Sequence, residues 1–254
     1  MLTRVVRVAV ALLALVPLAG VVRLPRLRRD GWSGDVTLEI VVFVVVAGAC
    51  AWSRRPDRVP RVSHPLGSPF VSGTWCVVQG GPSRLVNHHA PAHAQRRALD
   101  LVRLRRSGAR SSGLFPADLH GYACYGEPLV APCDGTVVRV VDTLGEQVPQ
   151  RARLVPPYGN QVRIDTGAEI VVLAHLRPGS VRVQVGQSVR QGEPVGEVGN
   201  SGNTTEPHLH LHAERDGAGL GLRFVGVRGA LRRGDWLPSH PGPVGHDSHV
   251  NAQG

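Results

Sequence analysis

The chain contains no lysine, and all 29 of its basic residues are arginine. Any cofactor that must be carried on a lysine amine is therefore excluded. Aromatic residues are scarce, with four Phe, three Tyr and four Trp. They offer no stacking platform for single-stranded nucleic acid, and no reader motif accompanies the net charge of +10, so no nucleic-acid partner is expected. None of the four cysteines has the Cys-x-x-Cys spacing of a structural zinc site. Cys50 lies in an apolar stretch, where a thiol is inert. Cys124 and Cys133 can pair across a loop outside the cytoplasm, leaving Cys76 over; the odd count assigns no disulfide. Against these absences stand 31 Gly and 20 Pro, which suit short strands joined by tight turns better than a helical bundle.

Apolar residues run nearly unbroken over 8–22 and again over 36–52, with Arg23-Leu24-Pro25-Arg26-Leu27-Arg28-Arg29-Asp30 between them. Each run is near the short limit for crossing a bilayer. The first has the basic start and apolar middle of a signal peptide, though Leu18-Ala19-Gly20 makes a poor cleavage site. The second, rich in β-branched residues, also fits a buried strand. Length and flanking charge favour a two-helix membrane hairpin within an N-terminal segment, 1–53. Up to Arg61 there are ten Arg against four acids, which suits lipid headgroups, while the remaining positive surplus suits an anionic polymer. Residues 54–72, rich in Arg and Pro, read as a linker. A domain then occupies 73–238, and 239–254 is a polar, disordered tail.

Within the domain, strands are predicted at 74–79, 98–104, 129–130, 135–141, 160–165, 169–175, 188–190, 194–198 and 208–214, with 222–225 as a last candidate. Short, closely spaced and punctuated by turns, they predict a mainly β, antiparallel, barrel-like domain. In Pro207-His208-Leu209-His210-Leu211-His212, an extended backbone puts the three His on one face and the two Leu on the other. Three imidazoles on one face fill a core poorly but can hold a metal and leave a ring for proton transfer. Upstream, Asn87-His88-His89-Ala90-Pro91-Ala92-His93 precedes Asp100, an acid set in the apolar run Leu99, Leu101, Val102, Leu104. A carboxylate is costly to bury unpaired, and a metal ion would pair it. His175 ends an apolar strand; alone it is an ordinary strand-end histidine.

Further segments follow in order: Ala131-Pro132-Cys133-Asp134-Gly135-Thr136-Val137, Tyr158-Gly159-Asn160, Ala174-His175-Leu176, Gly186-Gln187-Ser188-Val189-Arg190-Gln191-Gly192 and Gly199-Asn200-Ser201-Gly202. With the His-rich segments they resemble the lysostaphin/LytM-type zinc metallopeptidases, which cut peptides of bacterial cell walls. The resemblance covers roughly residues 73–237. It implies zinc held by His89, Asp100 and His210, with His175 and His208 as catalytic histidines. Many members carry His four residues before the Asp, where this chain has Arg96. A sub-group has Asn-x-His well upstream of Gln-x-x-Ala-x-Asp, which fits Asn87-His88-His89 and Gln95-Arg96-Arg97-Ala98-Leu99-Asp100 and selects His89. His93, seven residues before the Asp, is the alternative, and an extended backbone would turn His88 away from His89.

The implied chemistry explains the residue types. Three protein ligands leave a fourth zinc position open, as in catalytic sites. His208, beside the ligand His210, suits the general base, and His175 suits oxyanion stabilisation; the reverse assignment is open. The implied substrate is peptidoglycan stem peptides or cross-bridges, and the implied location is the cell membrane with the domain extracytoplasmic. A second reading is a catalytically silent relative that binds the wall or activates a partner hydrolase. Segments 131–137 and 185–192 also resemble biotinyl/lipoyl-type domains, but those carriers need a lysine.

Overall fold

The computed structural model describes residues 41–45, 60–151 and 156–239. Most of the predicted membrane hairpin, much of the linker and nearly all of the tail lie outside the described residues. Residues 41–45 are helical, and no helix among the described residues is long and apolar enough to cross a membrane. The chain divides into two units, Met1–Arg58 and Val59–Gly254.

The second unit is built from eleven strands: β1 (Thr74–Gln79), β2 (Leu99–Leu104), β3 (Pro128–Val130), β4 (Gly135–Val141), β5 (Asn160–Asp165), β6 (Ile170–Leu176), β7 (Ser188–Val189), β8 (Pro194–Glu197), β9 (Leu209–Arg215), β10 (Ala218–Gly219) and β11 (Trp236–Pro238). The main sheet runs β11-β1-β2-β9-β6-β5-β4-β7, with β10 on β9, and β3 pairs with β8 in a small second sheet. Every strand pairing is antiparallel, as predicted. Among the described residues β11 and β7 do not pair with each other, so the sheet is open rather than closed into a barrel.

Two differences from the sequence reading have simple causes. Residues 222–225 form no strand; Phe224 makes one isolated bridge, to Leu66, and β11 takes the sheet edge instead. The segment read as linker joins the domain from about residue 61. Val62, Leu66 and Phe70 are buried in the core, and Phe70 stacks on Trp75 at 3.5 Å. Ser63 donates through its backbone N–H and hydroxyl to both oxygens of buried Glu169, which also accepts from Arg215. Three apolar side chains spaced over nine residues anchor a stretch whose Arg and Pro content suggested solvent exposure.

Register explains how the site forms. β9 lies between β2 and β6, so both edges of its backbone are hydrogen-bonded. Leu99 faces Leu211 and Leu101 faces Leu209, placing these apolar residues together in the core. The pleat then sends the intervening residues to the opposite face, where Asp100 stands directly across from His210.

Candidate metal centre

Asp100 is buried, and its ion-pair partners are all imidazoles. His89 Nε2 lies 3.0 Å from both carboxylate oxygens, and His210 Nδ1 is 3.0 Å from Oδ1. His208 Nε2 stands 3.6 Å from Oδ1 and His88 Nε2 4.0 Å from Oδ2. Nitrogen and carboxylate donors converging on one buried spot form the donor set that suits zinc, so the residues present fit that ion.

The 80–98 loop positions His89 through Asn87. This fully buried amide donates to the carbonyls of Gly81 and Arg96, while its oxygen accepts the backbone N–H of His89 at 3.0 Å. That Asx turn gives the Asn-x-His pattern its physical meaning: the side chain closes the turn that presents the second residue after it. His93 goes elsewhere, its Nδ1 donating to the Gly217 carbonyl at 2.9 Å. His88 does not turn away from His89. Their rings lie 3.9 Å apart and both face Asp100, because the loop is a succession of turns rather than extended backbone. Ligand atoms of His88, His89 and Asp100 lie within 4.8 Å of one another. The His88 side chain is 62% exposed, however, whereas His210 is 1% exposed and clamped in the sheet, so His210 is the better held donor.

His175 reaches the site by backbone strain. Simple alternation would place it opposite Ala174, whose partner His210 faces the site. Instead His175 takes a left-handed φ of 63°, uncommon for a side-chain-bearing residue, beside the register shift at Asn160/Gln161. Its ring then lies 4.7 Å from that of His208. Its Nδ1 donates to the Ser201 carbonyl at 2.8 Å. Gly159 and Gly202, both at positive φ, cross so closely here that a Cβ on either would strike the other strand of the crossing. His208 is fixed in the same way, with Nδ1 donating to the Glu206 carbonyl at 2.8 Å. The Cys124 thiol donates to the carbonyl of Pro207, holding the entry to β9. Cys76, Cys124 and Cys133 are all free thiols, so the Cys124–Cys133 pairing does not form, and burial pushes Cys124 and Cys133 up to about 12.

The electrostatics follow from burial. Burial pushes His175 well below its usual value, with His208 and His210 adding to the shift, and pushes His210 down to about 4. Burial would raise Asp100, but His208, His89 and hydrogen bonds from His210 and His89 hold it well below the ordinary carboxylate range. A pocket of about 270 Å³ opens beside this cluster, lined among others by His88, Asp100, Arg110, Glu206 and His208. One site residue escaped the sequence roles. His212, known to share the face, is buried and touches His210, Nδ1 to Nε2 at 3.0 Å.

Residues 119–220 match peptidase family M23. The match includes His175, His208 and His210, and His89 and Asp100 lie upstream of it. The chain is 34% identical over 105 residues to an uncharacterized metalloprotease of Haemophilus influenzae, covering 41% of this chain and 19% of that protein. It is 36% identical over 105 residues to the peptidoglycan DD-endopeptidase ShyA of Vibrio cholerae, covering 39% and 23%. The chain thus spans about a fifth of the length of these relatives. Among solved structures, the M23 metalloprotease pseudoalterin from the deep sea aligns at a TM-score of 0.41 and 13% identity, over 70% of this chain and 99% of that one.

Proposed function

We propose, from the match of residues 119–220 to peptidase family M23, that the chain is a membrane-anchored zinc metalloendopeptidase that hydrolyses peptide bonds in peptidoglycan stem peptides or cross-bridges. The observation that carries this reading is the ring of imidazoles around one buried carboxylate, Asp100. His89, Asp100 and His210 would hold the zinc. Bound there, zinc supplies Lewis acidity toward the scissile carbonyl and brings the pKa of a water down to about 7.

The chain's own groups then divide the proton work. A carbonyl oxygen can only accept, so the bonds to Glu206 and Ser201 put the ring proton of His208 and of His175 on Nδ1. Each ring therefore presents the lone pair of Nε2. His208, beside the ligand His210 in the chain, takes the proton of the attacking water and returns it to the leaving amine. His175 hydrogen-bonds the developing oxyanion once its Nε2 carries a proton, which its burial disfavours in the resting site. The shared orientation of the two rings also supports the reverse division, and the two single variants distinguish them by pH profile.

Digestion of purified cell walls by the zinc-loaded full chain should free new amines, identifiable by labelling. Bound zinc without turnover would instead favour the silent wall-binding or activating reading. The N-terminal apolar runs support a membrane anchor with the domain outside the cytoplasm. A hairpin returning the chain to its starting side requires an external N-terminus, and the second run alone could also export the domain if the first is cleaved or fails to span. Reporter fusions after Arg61 should report the extracytoplasmic side; a cytoplasmic signal would overturn the cell-wall reading.

A further inference from the structure

His212 has no part in the mechanism above, yet it is among the most deeply buried polar side chains of the domain. It lies two residues beyond His210 on β9, and strand periodicity puts both rings on one face. Its Nδ1 is 3.0 Å from His210 Nε2, and its own Nε2 is buried without a hydrogen-bond partner. As a space-filler this is a poor choice, because an apolar ring would occupy the same volume without an unpaired polar atom. Tyr158 stacks on the His212 ring at 5.5 Å and 21°, and the Arg163 guanidinium lies 5.0 Å from the Tyr158 ring centre. The ring is thus held in place for the one bond it makes.

We propose that His212 is a positioning residue of the metal centre, holding His210 so that its Nδ1 faces the metal site beside Asp100. The inference rests on the zinc reading. His210 Nδ1 can bind a metal only through its lone pair, so its ring proton must sit on Nε2, where His212 Nδ1 is the acceptor. Without metal, His210 can instead donate from Nδ1 to Asp100 at 3.0 Å and accept at Nε2 from His212. An imidazole meets both demands because either nitrogen can donate or accept. A carboxylate at this position could only accept, and an apolar side chain could do neither.

The test uses the full chain and zinc, with affinity read by competition against a chelator of known strength. His212→Phe keeps a ring against Tyr158 and removes the bond; it should weaken zinc binding about 10–100-fold, the usual effect of losing such a partner. His212→Gln, whose amide can donate or accept, should recover part of that loss. In the zinc-loaded protein, nitrogen NMR should find a coupling across the hydrogen bond from His210 Nε2–H to His212 Nδ1, a signature that space-filling alone does not require. Zinc binding by a folded His212→Phe equal to that of the unaltered chain would overturn the proposal. So would the absence of that coupling in the zinc-loaded protein, a measurement that also decides the matter if His212→Phe does not fold. Zinc bound in a His212-dependent way without any cleavage would overturn the endopeptidase reading alone, and failure of the unaltered chain to bind zinc would overturn both.

Discussion

Two regions bring histidines to Asp100. Strand β9 supplies His210 from a backbone clamped between β2 and β6, with the preceding residues holding His208. The 80–98 loop supplies His89 from a run of turns held by one buried amide, Asn87. On the strand, side-chain direction follows from the pleat and is repeated by every neighbouring pair. On the loop it follows from individual hydrogen bonds, each of which can be removed alone. Loss of the strand's metal donor, His210, should therefore cost the metal outright, whereas the loop side should show graded effects.

The sharpest break in that comparison lies within β9 and its entry. Asp100→Ala and His210→Ala should each lose most bound zinc and with it all measurable cleavage, because two remaining protein donors hold the ion poorly. His208→Ala should keep zinc and lose roughly 10²–10⁴-fold in rate, the usual range for a general base. Metal analysis of the purified variants checks this. A normal zinc content in His210→Ala would mean that the loop pair His88 and His89 carries the metal with Asp100, and that the loop, not the strand, is the principal holder.

Within the loop, His89→Ala should lose zinc, while His93→Ala, whose ring is bonded to the Gly217 carbonyl, should retain it. His88→Ala should fall between them, since its ring faces Asp100 from an exposed position. Zinc kept by His89→Ala and lost by His93→Ala would reverse the assignment and require the loop to rearrange on binding.

How far the sequence could be read divides along the same line. Alternation in 207–212 placed the histidines on one face and the leucines in the core, and Asp100 in an apolar run implied a buried partner. Both are consequences of a two-residue repeat that any strand obeys. The His88 direction failed because it assumed extended backbone where the chain makes turns. Strand periodicity alone makes His175 a strand-end residue and only the resemblance makes it catalytic, because its turn onto the site depends on a left-handed φ and on two glycines meeting from distant segments. The anchoring of Val62, Leu66 and Phe70 was hidden because three apolar residues among Arg and Pro show no periodicity. His212 was visible on the face, but its bond to His210 depends on ring orientation, which spacing does not specify.

Acid should act mainly through the strand side. His210 is pushed down to about 4, and burial holds His175 and His212 well below the usual 6.5. These rings stay neutral in the folded chain at a pH where the unfolded chain protonates them. Metal-free stability is therefore unaffected above about pH 7 and falls as pH drops from 6.5 towards about 4. Asp100 acts later in the same direction. Its depressed value contributes stability present above 3.8 and lost only when pH falls through that lower value. Thermal midpoints of the metal-free protein across this range check the slope. Burial lowers His88 too but holds His212 well below the usual value, so His212→Phe should flatten the slope more than His88→Ala; an equal effect of the two would remove the distinction between the regions.

The smallest effect, and the most specific to the loop, is expected at Asn87. Its amide touches no metal donor directly, but its oxygen holds the backbone N–H of His89 and its nitrogen satisfies the carbonyls of Gly81 and Arg96. Asn87→Ala leaves those buried groups unpaired, which costs about 1–3 kcal/mol of stability by the usual penalty for such losses. Zinc should still bind, because His89, Asp100 and His210 all remain, but more weakly, since the loop must now be ordered by the metal itself. Asn87→Asp separates the two consequences. It keeps an acceptor for the His89 N–H and loses the donor to the carbonyls, so it should restore part of the zinc affinity while remaining destabilised. Denaturant melts with and without zinc measure both quantities on one sample. If Asn87→Ala lowers stability and leaves zinc affinity unchanged, the loop holds His89 without its Asx turn, and the contrast between a pleat-fixed and a bond-fixed donor fails at the point where it is easiest to test.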